Sequence, residues 1–125
     1  MDIKDLMVGD WVICNHYQNK PFTKQFGVAD FAKGEHEFCE PIRLTEEILV
    51  KNGFRYTANV IGRHNCKCYE LEQKGVYHMT ISIYKNEITC ELDKVDAMYM
   101  NVVTNYVHQL QHLLRLTGVQ KEIEL

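Results

Sequence analysis

His108-Gln109-Leu110-Gln111-His112 reproduces the spacing of the zinc-protease helix HExxH. In that motif two histidines one turn apart hold the metal, and the glutamate between them takes a proton from the attacking water. Here the glutamate position is Gln109. An amide cannot accept that proton, so the usual water-activating chemistry is missing. At about 100° per residue the two histidines lie roughly 40° apart on a helix. With Asn105, Gln109 and Arg115 they are read as a polar face, set against the apolar stripe Val107, Leu110 and Leu114. A solvated or partner-contacting surface outweighs a zinc site. On that reading, His108→Ala together with His112→Ala leaves stability within about 0.5 kcal/mol.

His64-Asn65-Cys66-Lys67-Cys68 is the other metal-like cluster. A structural zinc site needs four ligands, with cysteines spaced by two to four residues. Cys-x-Cys on a strand sends both thiols to one face, which suits core packing equally well, and no second pair stands at a useful spacing. Other routes to catalysis fail sooner. The seven glycines form no phosphate-cradling loop, and Ser82 is the one serine in the chain, on a strand with no nucleophile elbow around it. No cysteine lies in an obvious electropositive turn of the kind that activates a thiolate. Tyr17, Tyr69 and Tyr84 are candidates to stack a ligand or partner. The residues call for no metal and no cofactor.

Composition narrows the partners. A chain of 125 residues with 46% apolar and 25% charged residues is the size and make-up of one globular domain. The net charge is −3, and the basic residues are scattered, as in Lys20/Lys24 and Arg63/His64/Lys67. Nucleic-acid binding is therefore disfavoured, because counterion release needs a basic stripe. The five cysteines are odd in number, and the opening MDIKDLMVGD is acidic rather than signal-like. Reduced thiols in a cytoplasmic protein are expected. No apolar run is long enough to span a membrane.

The elements that must position these residues follow from periodicity. Gly9-Asp10 signals a turn, and Trp11 to Cys14 reads as a strand. Phe22 to Phe31 and Glu35 to Ile42 are expected to supply two more, split by a turn at Lys33-Gly34 and closed by Pro41. Thr45 is a good N-cap with Glu46 and Glu47 in the first turn, and Gly53 suits a left-handed C-terminal position. Residues 55–61 and 66–72 read as a strand pair. Tyr77 to Ile83 and Ile88 to Asp93 alternate as a hairpin across Lys85-Asn86. Its expected register puts Ile83 opposite Ile88, Ile81 opposite Cys90, Met79 opposite Leu92 and His78 opposite Asp93, because a one-residue slip would scatter the apolar face. Met98 to Val102 is expected to form a short strand, and a helix from about Thr104 to Thr117 ends at Gly118. Residues 119–125 alternate and are expected either to add an edge strand or to fray.

Two resemblances add to this. Entry through Leu6-x-Val8-Gly9-Asp10-Trp11-Val12 resembles the first strand of small SH3-like barrels. The blocks Leu44-Thr-Glu-Glu-Ile-Leu-x-x-Asn-Gly-Phe54 and Tyr106-Val-His-Gln-Leu-Gln-His-Leu-x-x-Leu-Thr-Gly118, with Ile3 to Val12, resemble a family of small uncharacterised proteins encoded by gut bacteria and their phages or mobile elements. The resemblance covers about a third of the chain and carries no activity. It implies a cytoplasmic bacterial or phage protein.

Together these readings give one α+β domain spanning residues 1–125. Its N-terminal part, 1–43, is β-rich and SH3-like, and residues 44–125 hold a helix, hairpins and an antiparallel sheet covered by the C-terminal helix. The expected function is non-catalytic binding of another protein, one of a host system if the chain is phage-borne, through Asn105, His108, Gln109, His112 and Arg115. The alternatives are a protein that sequesters a small molecule or nucleotide, and a nucleic-acid-binding accessory protein. A buried His–carboxylate pair in a cleft would favour an enzyme instead.

Overall fold

A computed structural model describes residues 1–16, 20–59, 66–71, 77–94, 99–119 and 121–125. Tyr17, Arg63, His64 and Met98 lie outside the described residues. The fold is α+β, with two antiparallel sheets and three α-helices among the described residues. The chain divides into two compact units, each made of two chain segments: residues 1–43 with 106–121, and residues 44–105 with 122–125.

The first unit holds strands β1 (Trp11–Cys14), β2 (Phe22–Gln25) and β3 (Cys39–Pro41), in the order β2-β1-β3. Between β2 and β3 lies helix α1 (Val28–Lys33), followed by a 3-10 turn at Glu35–Phe38. The expected strands through Phe31 and from Glu35 are therefore cut short. Asp30 explains the first correction. Its carboxylate accepts the Gly27 N–H at 2.8 Å and pairs with Lys24, which caps a helix where a strand would have continued. Gly34 then ends that helix at φ 69°, a conformation that favours glycine. Three strands with a helix between them form an open sheet, and the SH3-like barrel is not what these residues build. Leu6, Val12, Cys14, Phe26 and Cys39 form a core cluster, with Phe31 edge-on to Phe26 at 4.7 Å.

The C-terminal helix α3 (Val107–Leu116) belongs to this first unit rather than to residues 44–105. Val107, Leu110 and Leu114 are buried along one side. Tyr106 N–H is accepted by the Gln109 side chain at 3.1 Å, which caps the helix start. At its end, Val119 N–H reaches Leu114 O at 2.9 Å around Gly118.

The second unit carries a five-stranded sheet in the order β4-β5-β6-β7-β8: β4 (Arg55–Asn59), β5 (Lys67–Leu71), β6 (Tyr77–Tyr84), β7 (Glu87–Lys94) and β8 (Tyr99–Val103). The β6–β7 register matches the expected one pair for pair, including His78 with Asp93. Tyr69, Leu71, Met79, Ile81, Ile88, Cys90 and Leu92 are buried. Lys85 takes the positive φ, 53°, that a two-residue loop demands. Helix α2 (Glu46–Lys51) starts at Thr45, whose Oγ1 accepts the Ile48 N–H, and ends with Phe54 N–H on Leu49 O at 3.0 Å. Residues 121–125 form no strand, yet Ile123 is buried and Glu124 is bonded to Asn52 at 2.7 and 2.8 Å. Among the described residues no helix is long and apolar enough to cross a membrane.

Candidate functional site

Asp10 is 0% exposed, and its carboxylate is the centre of the first unit's polar network. Gly9 makes the turn before it, at φ 94°, and Asp10 N–H returns to Met7 O at 3.1 Å. Oδ2 accepts the Met7 N–H at 2.7 Å and lies 2.7 Å from His112 Nε2. Oδ1 accepts Arg115 Nη1 at 3.0 Å. A buried carboxylate must be paired and hydrogen-bonded, and these partners do both. A Cβ at Gly9 would meet Arg115 Nη2 at 3.0 Å, so the turn also reserves space for the guanidinium.

Gln111 completes the link. Its Oε1 accepts the Trp11 N–H at 2.9 Å and its Nε2 donates to Gly9 O at 3.0 Å. One helix face, Gln111, His112 and Arg115, thus bonds residues 9–11 through its side chains. This corrects the expectation of an exposed polar face in part: Arg115 is exposed and Asn105, Gln109 and His112 are half-buried, but His108 is buried. His108 is 5% exposed, Gln111 is also buried, and His112 and Arg115 are committed to Asp10. The physical reason is a distant partner: the carboxylate of Asp10, in the turn before β1, takes up His112 and Arg115, which helix periodicity leaves on a polar face.

His108 stacks on Tyr106, with ring centroids 5.9 Å apart and planes at 19°, and stands edge-on to His112 at 5.6 Å. Its Nδ1 is buried without a hydrogen-bond partner among the described residues. Burial pushes the imidazole's pKa down, with His112 adding to the effect, while Asp10 and Asp5 oppose it. His108 is accordingly a neutral ring near pH 7.

A cavity of about 540 Å³ opens beside α3. Tyr106, His108 and His112 give it an aromatic wall, with Gln109 on the same helix. Met1, Asp2, Lys4, Asp5 and Pro41 also line it. Three of the five residues singled out from sequence, His108, Gln109 and His112, therefore meet at one cavity. Arg115 is tied to Asp10 but is not among its lining residues. Asn105 belongs to the second unit, where its Oδ1 accepts the Ile88 N–H at 2.9 Å and secures the start of β7. Sequence reasoning missed Asp10, Tyr106 and Gln111 as site residues. The Gly9-Asp10 pair read only as a turn, although a carboxylate before a strand and a His112/Arg115 pair one turn apart on a helix were the available signal.

Among the described residues no group of three or more His, Cys, Asp or Glu side chains is arranged to hold a metal ion. Cys68 Sγ lies 3.5 Å from Ser82 Oγ on the sheet, while Cys66 is only partly buried. The chain was compared with protein-family models, curated proteins and solved structures, and none of them matches it.

Proposed function

We propose that this is a non-catalytic binding protein whose cavity beside α3 takes a small planar molecule bearing an amine or amide donor, such as a nucleobase or nucleoside. The observation that carries this reading is the convergence of Tyr106, His108 and His112 rings with Asp2 and Asp5 around one cavity. Its volume suits a drug-sized ligand. Aromatic rings favour a flat partner. A neutral His108 and two carboxylates, against the one lysine Lys4, favour hydrogen-bond donors over phosphate, which the net charge of −3 also repels. A protein partner docking on the last helix is the weaker reading, because His108 is buried and His112 and Arg115 are engaged internally.

The test is a thermal-shift series of nucleobases, nucleosides and nucleoside monophosphates. A ligand at a hundredfold its Kd adds about 2.7 kcal/mol of stability. Nucleobases or nucleosides should raise the melting temperature more than their phosphates, and Tyr106→Leu should abolish the rise. No response to any flat donor-bearing compound would defeat the proposal. A second reading rests on the Asp10–His112 contact at 2.7 Å, a carboxylate–imidazole pair at a cavity wall. In that reading His112 moves a proton for a bound substrate. Slow conversion of a ligand, followed by NMR and lost in His112→Gln, would make the protein an enzyme.

A further inference from the structure

Cys14 and Cys39 stand directly opposite each other on β1 and β3. Asn15 N–H donates to Phe38 O at 2.8 Å in the adjacent pair. Hydrogen-bonded and non-hydrogen-bonded pairs alternate along an antiparallel ladder, so the two cysteines occupy a non-hydrogen-bonded position, where opposed side chains lie closest. Pro41, opposite Val12, falls at the next such position, where its missing N–H costs nothing.

The two thiols meet. Their Sγ atoms are 3.8 Å apart, and Cys39 also donates to Glu35 O at 3.2 Å. With that proton committed, the Cys39 sulfur is the acceptor for the Cys14 S–H. Both residues are free thiols, only 1% and 3% exposed. Cα atoms at such a position are separated by about 4.5 Å, inside the span a disulfide bridges, roughly 4.4–6.8 Å. Bond formation therefore needs side-chain rotation rather than strand movement.

We propose that Cys14 and Cys39 are a reversible dithiol–disulfide couple, oxidised by a low-molecular-weight disulfide. The steps balance. A thiolate of the pair attacks the small disulfide and releases one of its sulfurs as a thiol. The second cysteine of the pair then attacks the mixed disulfide and releases the other. The protein loses two electrons and two protons, and the small disulfide gains them. Access comes from β3, a three-residue strand at the sheet edge that carries Cys39; among the described strands β1 is its one sheet neighbour, and the Met1 ammonium holds the Cys39 carbonyl at 2.9 Å. Local opening of this short edge strand, short of global unfolding, is the step that exposes the pair. In the closed state burial and the Cys14 contact push the Cys39 thiol up to about 12, so the couple reacts through the opened strand.

The experiment treats the full chain with oxidised glutathione, alkylates the remaining thiols, and reads intact mass, peptide map and melting temperature. The variant Cys66→Ser/Cys68→Ala/Cys90→Ala keeps only the pair. Should it fail to fold, the peptide map of the unaltered chain gives the same answer. Support is the loss of two hydrogens, a Cys14–Cys39 cross-linked peptide, and a raised melting temperature that dithiothreitol reverses. In Cys14→Ser, Cys39 should stop at the glutathione adduct with no such rise. Full alkylation of both cysteines after oxidation, a cross-link through Cys66, Cys68 or Cys90 instead, or a lowered melting temperature on oxidation would overturn the proposal.

Discussion

At the scale of single residues, Asp10 bears most of the consequence. Its two oxygens serve Met7 N–H, His112 and Arg115, and none of its surface reaches water. Asp10→Ala leaves a backbone donor and two cationic or polar side chains without their acceptor. The Arg115 side chain is 36% exposed and can turn to solvent, which moderates the loss. Urea denaturation should show a destabilisation of about 2–4 kcal/mol. The His112–Asp10 bond and the burial of His108 argue against the expectation that replacing His108 and His112 is nearly free. His108 supplies a pH signature. Its folded pKa is lowered, chiefly by burial, so below about 6.5 the unfolded chain binds protons that the folded chain refuses. This contribution is present at neutral pH and is lost as the pH falls through that unfolded value. Between pH 7.5 and 5.5 the parent protein should lose more stability than His108→Gln in paired melts. Parallel profiles would show that His108 takes up its proton without penalty.

At the scale of elements, α3 is bound along two adjacent arcs: an apolar one at Val107, Leu110 and Leu114, and a polar one at Gln111, His112 and Arg115. Periodicity identified the first because apolar residues announce burial. It misjudged the second because burial of polar groups depends on an acceptor about a hundred residues away in the chain. The β6–β7 hairpin was legible for the opposite reason, since all its information is local. Its loop carries a measurable strain. Lys85 at φ 53° meets the left-handed penalty of about 1–2 kcal/mol for an L-residue. Lys85→Gly relieves that, but gives up the contact of Nζ over the Tyr84 ring at 5.3 Å and adds backbone freedom to the unfolded chain. Those two losses are each about 0.5 kcal/mol, so a net gain of about 0.5 kcal/mol is expected from chemical denaturation. A loss of stability would show that the Tyr84 contact outweighs the strain.

At the scale of the whole molecule, neither compact unit is a continuous stretch of chain. Residues 106–121 complete the first and residues 122–125 the second. In sequence the last residues read as either an edge strand or a fraying tail, and they are neither: Ile123 is buried, Asn52 bonds both the N–H and the carbonyl of Glu124, and Lys51 reaches the Leu125 carbonyl. Ile123→Ala should therefore cost about 2–4 kcal/mol in thermal or chemical unfolding, the value for a core residue rather than for a terminus. An unchanged midpoint would return residues 122–125 to the status of a loose end.

The sequence by itself determined the α2 caps, the hairpin and its register, the strand at Trp11, and the end of the last helix, whose start lies at Val107 rather than Thr104 because Thr104 N–H still bonds Ile88 O at 2.8 Å. Each rests on neighbours a few residues apart, where turn chemistry and side-chain alternation leave one acceptable arrangement. Only the tertiary structure decided that α3 joins residues 1–43, that Asp10 gathers His112 and Arg115, that Cys14 meets Cys39, and that His108 and Tyr106 line a cavity. Those pairings close loops of 25 to 105 residues, and no local periodicity records which distant partner will satisfy a buried polar group.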